Sequence, residues 1–162
     1  MEIYTVSMFG HRKINRHYEV EAILEEIITD LVTDKNYVKF LVGRDGEFDL
    51  LAASAVCQVK RKKGFKNSSL ILVLPCATKH FLDNEKSYLE YYDDVEIFSR
   101  SEEKHIREAF RFRNKYMVDR SDMVICYAER NKDDAFLAKK YAERSGKEVV
   151  EVTNFWHTEN IP

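Results

Sequence analysis

"SSLILVLP", residues 68–75, holds five apolar residues in a row, Leu70 to Leu74, before Pro75 stops it. A strand with one wet face alternates apolar and polar side chains. An unbroken run of this length predicts a strand covered on both faces, which is how strands of parallel sheets sit between layers of helices. The flanking sequence fits that architecture. Upstream, Phe48, Leu51, Ala52, Ala55, Val56 and Val59 repeat at helical spacing, "YVKFLVG" (37–43) reads as a strand, Val20 to Leu31 form the stripe of a helix over 19–33, and Ile3–Met8 reads as the first strand. Downstream come a helix near 103–119, the strand "MVICY" (123–127), a helix near 133–145 and the strand "EVVEV" (148–152). The polar segment 77–102, with "YLEYYDDVEIF", sustains no alternation and is read as helix plus loop over one edge, not as a sixth central strand.

The expected fold class is α/β: a Rossmann-like, doubly wound, mostly parallel sheet of about five strands with helices on both faces. With 162 residues, two prolines and no repeats, the chain is read as one domain over 1–162, with 153–162 as a C-terminal tail. Phe155 and Trp156 in that tail are read as covering a sheet edge or joining a subunit interface, so a homodimer stays open. A net charge of -2 advertises no nucleic-acid or membrane surface, and neither partner is expected. Three widely spaced cysteines make neither a disulfide framework nor a zinc site, and no metal or cofactor is expected. The start lacks the pattern of a signal peptide and no apolar run is long enough to span a bilayer, so the cytoplasm is the expected compartment.

In open parallel sheets, ligands bind beyond the carboxyl ends of the strands, which singles out the junctions 9–13, 43–49 and 126–134. The first carries Gly10, His11 and Arg12, the last two suited to a phosphate. The second, "VGRDGEFDLLAAS", sets Gly43 and Gly46 before a helix that starts near Glu47. Its amides would suit an anion, yet Asp45, Glu47 and Asp49 would repel one, so contacts to ribose or base stand beside simple helix capping. On the helix near 103–119, Arg113 falls on the core-facing stripe, with Asn114 on the side of Phe110. A buried guanidinium there serves either an ion pair, with Asp119, Asp122 or a carboxylate of the second junction, or a ligand phosphate. Three further histidines, His80, His105 and His157, are read as surface residues, and Lys60 to Lys63 as a solvated helix end.

Taken in order, "FGHRKI", "FLVGRDGEFDLLAASAV", "LILVLP" and "RNKYMVDRSDMVICY" resemble the YspA/YpsA-like branch of the SLOG superfamily, which is named after the Smf/DprA and LOG proteins. The resemblance spans roughly residues 5–150 and implies a Rossmann-like domain that binds nucleotides or nucleotide-derived ligands. In LOG enzymes, which cleave base from ribose in nucleoside monophosphates, an Arg-Lys pair precedes the fourth strand, and Arg113 and Asn114 take the similar place. Those enzymes follow that strand with a PGGxGTxxE loop. This chain has "YAERNKDDAFLAKKY", with Asp133 and Asp134 where the loop would cradle phosphate. The expected function is therefore binding or sensing of a nucleotide-like ligand without turnover, through Gly10, His11, Arg12, Gly43, Gly46, Glu47, Asp49, Arg113 and Asn114. The alternatives are an enzyme acting on an N-glycosidic bond, of phosphoribohydrolase or deoxyribosyltransferase type, with Glu47 or Asp49 as the catalytic carboxylate, and a partner-binding domain with a vestigial pocket.

Overall fold

A computed structural model describes residues 2–98, 106–129 and 133–156. The chain alternates strand and helix: β1 (Ile3–Gly10), α1 (His17–Asp34), β2 (Tyr37–Val42), α2 (Glu47–Lys63), β3 (Ser68–Leu74), α3 (Lys79–Asp83), α4 (Glu85–Tyr91), β4 (Asp94–Ile97), α5 (Ile106–Arg120), β5 (Met123–Tyr127), α6 (Asp134–Arg144) and β6 (Glu148–Glu151), then a 3-10 turn at Val152–Phe155. The strands form one sheet in the order β4-β3-β2-β1-β5-β6, and every pairing is parallel.

Two apolar layers account for the unbroken strands. Alternate residues of each strand face opposite ways. In β3, Leu70, Leu72 and Leu74 join the core beneath α1 and α2, while Ile71 and Val73 join the core beneath α5 and α6. Both sets are almost fully buried. The α2 stripe of Phe48, Ala52, Ala55, Val56 and Val59 packs on the first face. Small residues of α6, Ala135, Ala138 and Ala142, let that helix lie close on the second.

The sheet has six strands instead of five. Its extra member, β4, lies at the edge against β3, after the short helices α3 and α4, so the helical reading of 77–102 holds for its first half only. In the described part of the expected tail, regular structure extends further than the sequence suggests. Phe155 closes the 3-10 turn, and the Trp156 ring meets Tyr127 edge-on at 6.1 Å between centroids while the Arg16 guanidinium covers it at 4.5 Å. His80 is exposed but hydrogen-bonds through Nδ1 to the Tyr88 hydroxyl at 2.7 Å, whereas His105 and His157 lie outside the described residues. No helix among the described residues is long and apolar enough to cross a membrane.

The chain winds one way from β1 through β2 and β3 to β4, then returns to the other side of β1 with β5 and β6. The carboxyl ends of β1 and β5 are the place where the direction reverses. Loops leaving two adjacent strands toward opposite faces leave a crevice there.

Candidate functional site

A cleft of about 930 Å³ opens at that reversal point, lined by residues after β1, after β2, along α5 and at the start of α6. Gly10, His11, Arg12, Gly43, Asp49, Arg113 and Asn114 all line it, so seven of the nine expected binding residues converge from three parts of the chain. Gly46 and Glu47 do not. Glu47 is exposed on the far side of the first turn of α2, where Oε2 accepts the Ile14 amide at 2.8 Å and approaches His17 Nε2 at 3.4 Å. The Ile14 hydrogen bond and nearby His17 hold its carboxyl below the usual range. Glu47 thus ties down the loop after β1 and is not placed for chemistry in the cleft.

The glycines serve packing. A Cβ on Gly10 would fall 2.1 Å from Phe48 Cγ, and one on Gly46 would fall 2.4 Å from Arg12 Cα. Without side chains, α2 can press directly on the end of β1 and its loop. The Glu47 amide then donates to the Arg12 carbonyl at 2.8 Å, which takes up an amide that an anion would have needed. The start of α6 is occupied in a similar way. Asp133 is its N-cap, accepting the Phe136 amide at 2.9 Å, and its other oxygen meets Nδ1 of the buried His11. Those two acids do not lie in wait to repel a ligand: Asp133 is held by His11, and Asp134 Oδ1 stands 3.6 Å from Arg111 Nε.

The floor is a buried cluster around Gly43. Arg113, 2% exposed, donates from Nη2 to Asp45 Oδ2 at 2.5 Å, from Nη1 to the Val73 carbonyl at 3.0 Å and from Nε to Asn114 Oδ1 at 2.9 Å. The ion-pair reading of Arg113 therefore has its partner, a carboxylate of the second junction and neither Asp119 nor Asp122. Asp49, 7% exposed, accepts the Asp45 amide at 2.9 Å through Oδ2. Burial pushes its carboxyl up to about 7, with the neighbouring Asp45 charge adding to the rise and Arg113 and Arg12 opposing it. A Cβ on Gly43 would lie 2.9 Å from Arg113 Nη1 and Asp45 Oδ2 and 3.0 Å from Asp49 Oδ2, so the cluster closes only over a glycine.

Sequence reasoning missed the rim. Arg107, Phe110 and Arg111 line the cleft from α5 beside Asn114, and Lys13 joins Arg12 from the loop after β1. The signal was available, because 107, 110, 111 and 114 follow the i, i+3, i+4, i+7 spacing of one helix face. The lining carries five cationic side chains, Arg12, Lys13, Arg107, Arg111 and Arg113, against four carboxylates, Asp45, Asp49, Asp133 and Asp134. The four exposed cations stand at the mouth, so the entrance is cationic and the floor close to neutral.

No protein-family model and no curated protein sequence matches the chain. Solved structures do. DNA processing protein A from Streptococcus pneumoniae superposes with a TM-score of 0.67 at 17% identity, over 91% of this chain and 49% of that one. DNA processing protein A from Helicobacter pylori, described for its single-stranded DNA binding mode, gives 0.64 at 16% identity over 93% and 70%. The molybdenum cofactor carrier protein from Chlamydomonas reinhardtii gives 0.56 at 11% identity over 91% and 75%. The chain spans about half the length of the pneumococcal protein. One expectation needs correction. A near-zero net charge cannot exclude nucleic acid, since DNA processing protein A from Helicobacter pylori, which has this fold, is described for its single-stranded DNA binding mode. The chain carries the Rossmann-like fold shared by DNA processing protein A and the molybdenum cofactor carrier, the fold that the SLOG resemblance of its motifs implies.

Proposed function

We propose that the cleft binds a phosphorylated, nucleotide-type ligand and does so without turning it over. The observation that carries this reading is the convergence of Arg12, Lys13, Arg107 and Arg111 on the mouth of a cleft at the reversal point of a parallel sheet. Guanidinium forks match phosphate oxygens, and several of them around one opening raise the local concentration of an anion. Phe110, half-buried on the wall, offers a flat apolar face for a base, and the Arg113 guanidinium lies 5.2 Å from its ring centroid. Anion binding here relies on side chains, because the first amides of α2 and α6 are partly taken by Arg12 and Asp133.

Binding without turnover fits the floor. Hydrolysis of an N-glycosidic bond needs a carboxylate near the anomeric carbon. Of the two candidates, Glu47 lies outside the cleft, and Asp49 shares a coupled cluster with Asp45 and Arg113. A second reading has its own support. The Helicobacter pylori neighbour binds single-stranded DNA, and the exposed cationic rim would equally suit the phosphates of a nucleic-acid strand.

Calorimetry and thermal unfolding with nucleoside mono-, di- and triphosphates, dinucleotides and a short single-stranded DNA test both readings. A ligand at 100 times its Kd should stabilise the fold by about 2.7 kcal/mol. The double variant Arg107→Glu, Arg111→Glu should weaken that ligand more than tenfold while leaving the apo melting curve in place. A response to the oligonucleotide alone, lost in the same variant, selects the second reading. Silence toward the whole panel defeats both.

A further inference from the structure

Among the described residues, Arg16 is the one non-glycine residue whose backbone lies in the left-handed region, at φ 56° and ψ 50°. It stands just before the first turn of α1, where serine, threonine, aspartate or asparagine would cap the helix, and its side chain caps nothing. Glycine would take that backbone without strain. An arginine held there against its own preference points to a use for its side chain. The guanidinium covers the Trp156 ring at 4.5 Å, and Nη1 stands 3.7 Å from Glu19 Oε2. The ion pair is a solvent-screened i, i+3 contact, so the stacking on Trp156 is the more specific of the two.

Trp156 joins this arginine to the end of β5. Its ring meets that of the fully buried Tyr127 edge-on. Tyr127 in turn holds the segment between β1 and α1 at two points. Its carbonyl accepts the His11 amide at 3.1 Å, and its hydroxyl accepts the Asn15 amide at 3.3 Å. Between those points lie Arg12 and Lys13, whose exposed side chains stand at the mouth of the cleft. Glu47 fixes the middle of the segment, through the Arg12 carbonyl and the Ile14 amide. A cationic pair held in place before a phosphate arrives loses less freedom on binding than one on a slack loop.

We infer that Arg16 and Trp156 form a latch that positions Arg12 and Lys13 for phosphate, so that a residue of the C-terminal segment sets the affinity of a cleft it does not line. Neither Arg16 nor Trp156 belongs to the lining, and both act as positioning residues. This rests on the phosphate-binding half of the reading above and adds to it the part of the fold that prepares the loop.

The experiment measures dissociation constants of the full chain by calorimetry, with adenosine and guanosine 5′-diphosphates as nucleotide probes and inorganic pyrophosphate as a probe without base or sugar. Arg16→Gly relieves the left-handed backbone while removing the cation. Trp156→Leu keeps an apolar cover on the core while removing the aromatic face. Each should bind every probe that the parent binds about fivefold more weakly, the penalty of ordering one or two loosened side chains. Arg16→Lys keeps a cation over the ring and should stay close to the parent. The double variant Arg16→Gly, Trp156→Leu should bind no more weakly than either single, because both changes open the same latch. Unliganded melting curves confirm folding, and that of Arg16→Gly should lie near the parent's, since strain is relieved as stacking is lost. Weaker binding in Arg16→Gly with parent affinity in Trp156→Leu makes Arg16 a direct phosphate contact and overturns the latch. Parent affinity in both singles, or losses that add in the double variant, overturns it as well. Binding of pyrophosphate alone removes the nucleotide reading and leaves the latch to the same comparison of variants, whereas silence toward all three probes removes both.

Discussion

Arg113 spends its guanidinium on Asp45, on the end of β3 and on its own neighbour Asn114. Removing it leaves the Val73 carbonyl without its donor and two adjacent carboxylates without their counter-charge. Breaking a buried pair in this way costs about 3–5 kcal/mol. Arg113→Ala should therefore lower the unfolding free energy of the unliganded protein, measured by urea titration, by that much, whether or not it also affects binding. An unfolding free energy within about 1 kcal/mol of the parent's would show that the cluster contributes little to folding. Asp49 makes the opposite kind of contribution. Its carboxyl rises from 3.8 in the unfolded chain to about 7 in the fold, chiefly through desolvation. Between those values the folded state keeps a proton that the unfolded state has released, so the stability owed to this group is full below pH 3.8 and is lost as pH rises through 7. The groups facing it are Asp45, Arg113 and Arg12. Relative to Asp49→Asn, the parent protein should lose stability between pH 5 and pH 8, measured by denaturant unfolding across that range. A difference that stays flat or grows would show that Asp49 is ionised throughout.

At the scale of elements, the docking of α2 on β1 depends on one absent atom. Gly10→Ala places a methyl group 2.1 Å from Phe48 Cγ, deep in the core shared by both elements. Overpacking of this kind costs about 1–3 kcal/mol and often more when backbone must move. The loss should appear in the melting temperature, and adding Phe48→Leu should not recover it, because the Cγ and Cβ that meet the new methyl at 2.1 and 2.4 Å are kept in leucine. A full recovery in the double variant would show that the clash is not what Gly10 avoids. The glycine-bearing junctions and the apolar run of β3 were legible because steric and burial rules act locally. The strand β4 was not, since Asp-Val-Glu-Ile is short and carries two carboxylates, and its pairing is supplied by β3. Glu47 was misplaced for a reason the sequence does contain. Two residues on a helix point about 200° apart, so Glu47 and Asp49 could not both face one cleft. The cationic face of α5 lies one step around the helix from the core-facing stripe through Arg113, so apolar spacing does not pick it out. What no spacing rule could supply was the identity of Arg113's partner, 68 positions away in sequence.

For the whole molecule, the reversal of winding at β1 fixes where a ligand can enter and draws its walls from separate thirds of the chain. Gly43 and Asp45 come from the first third, and Arg111, Arg113 and Asp133 from the last. The same strand order has a consequence for synthesis. Four strands, β4-β3-β2-β1, can zip together from the first 98 residues, since each pairs with a neighbour already made. Until Met123–Tyr127 leaves the ribosome, however, β1 presents the row from Val6 to Gly10 as a bare edge, the kind of surface that recruits stray strands. Docking of β5 covers that edge and seats α5 and the start of α6, which carry the opposite wall of the cleft. A nascent chain thus stays adhesive for as long as it is unable to hold a ligand, and any ligand it later meets can rescue only molecules that have already finished being made.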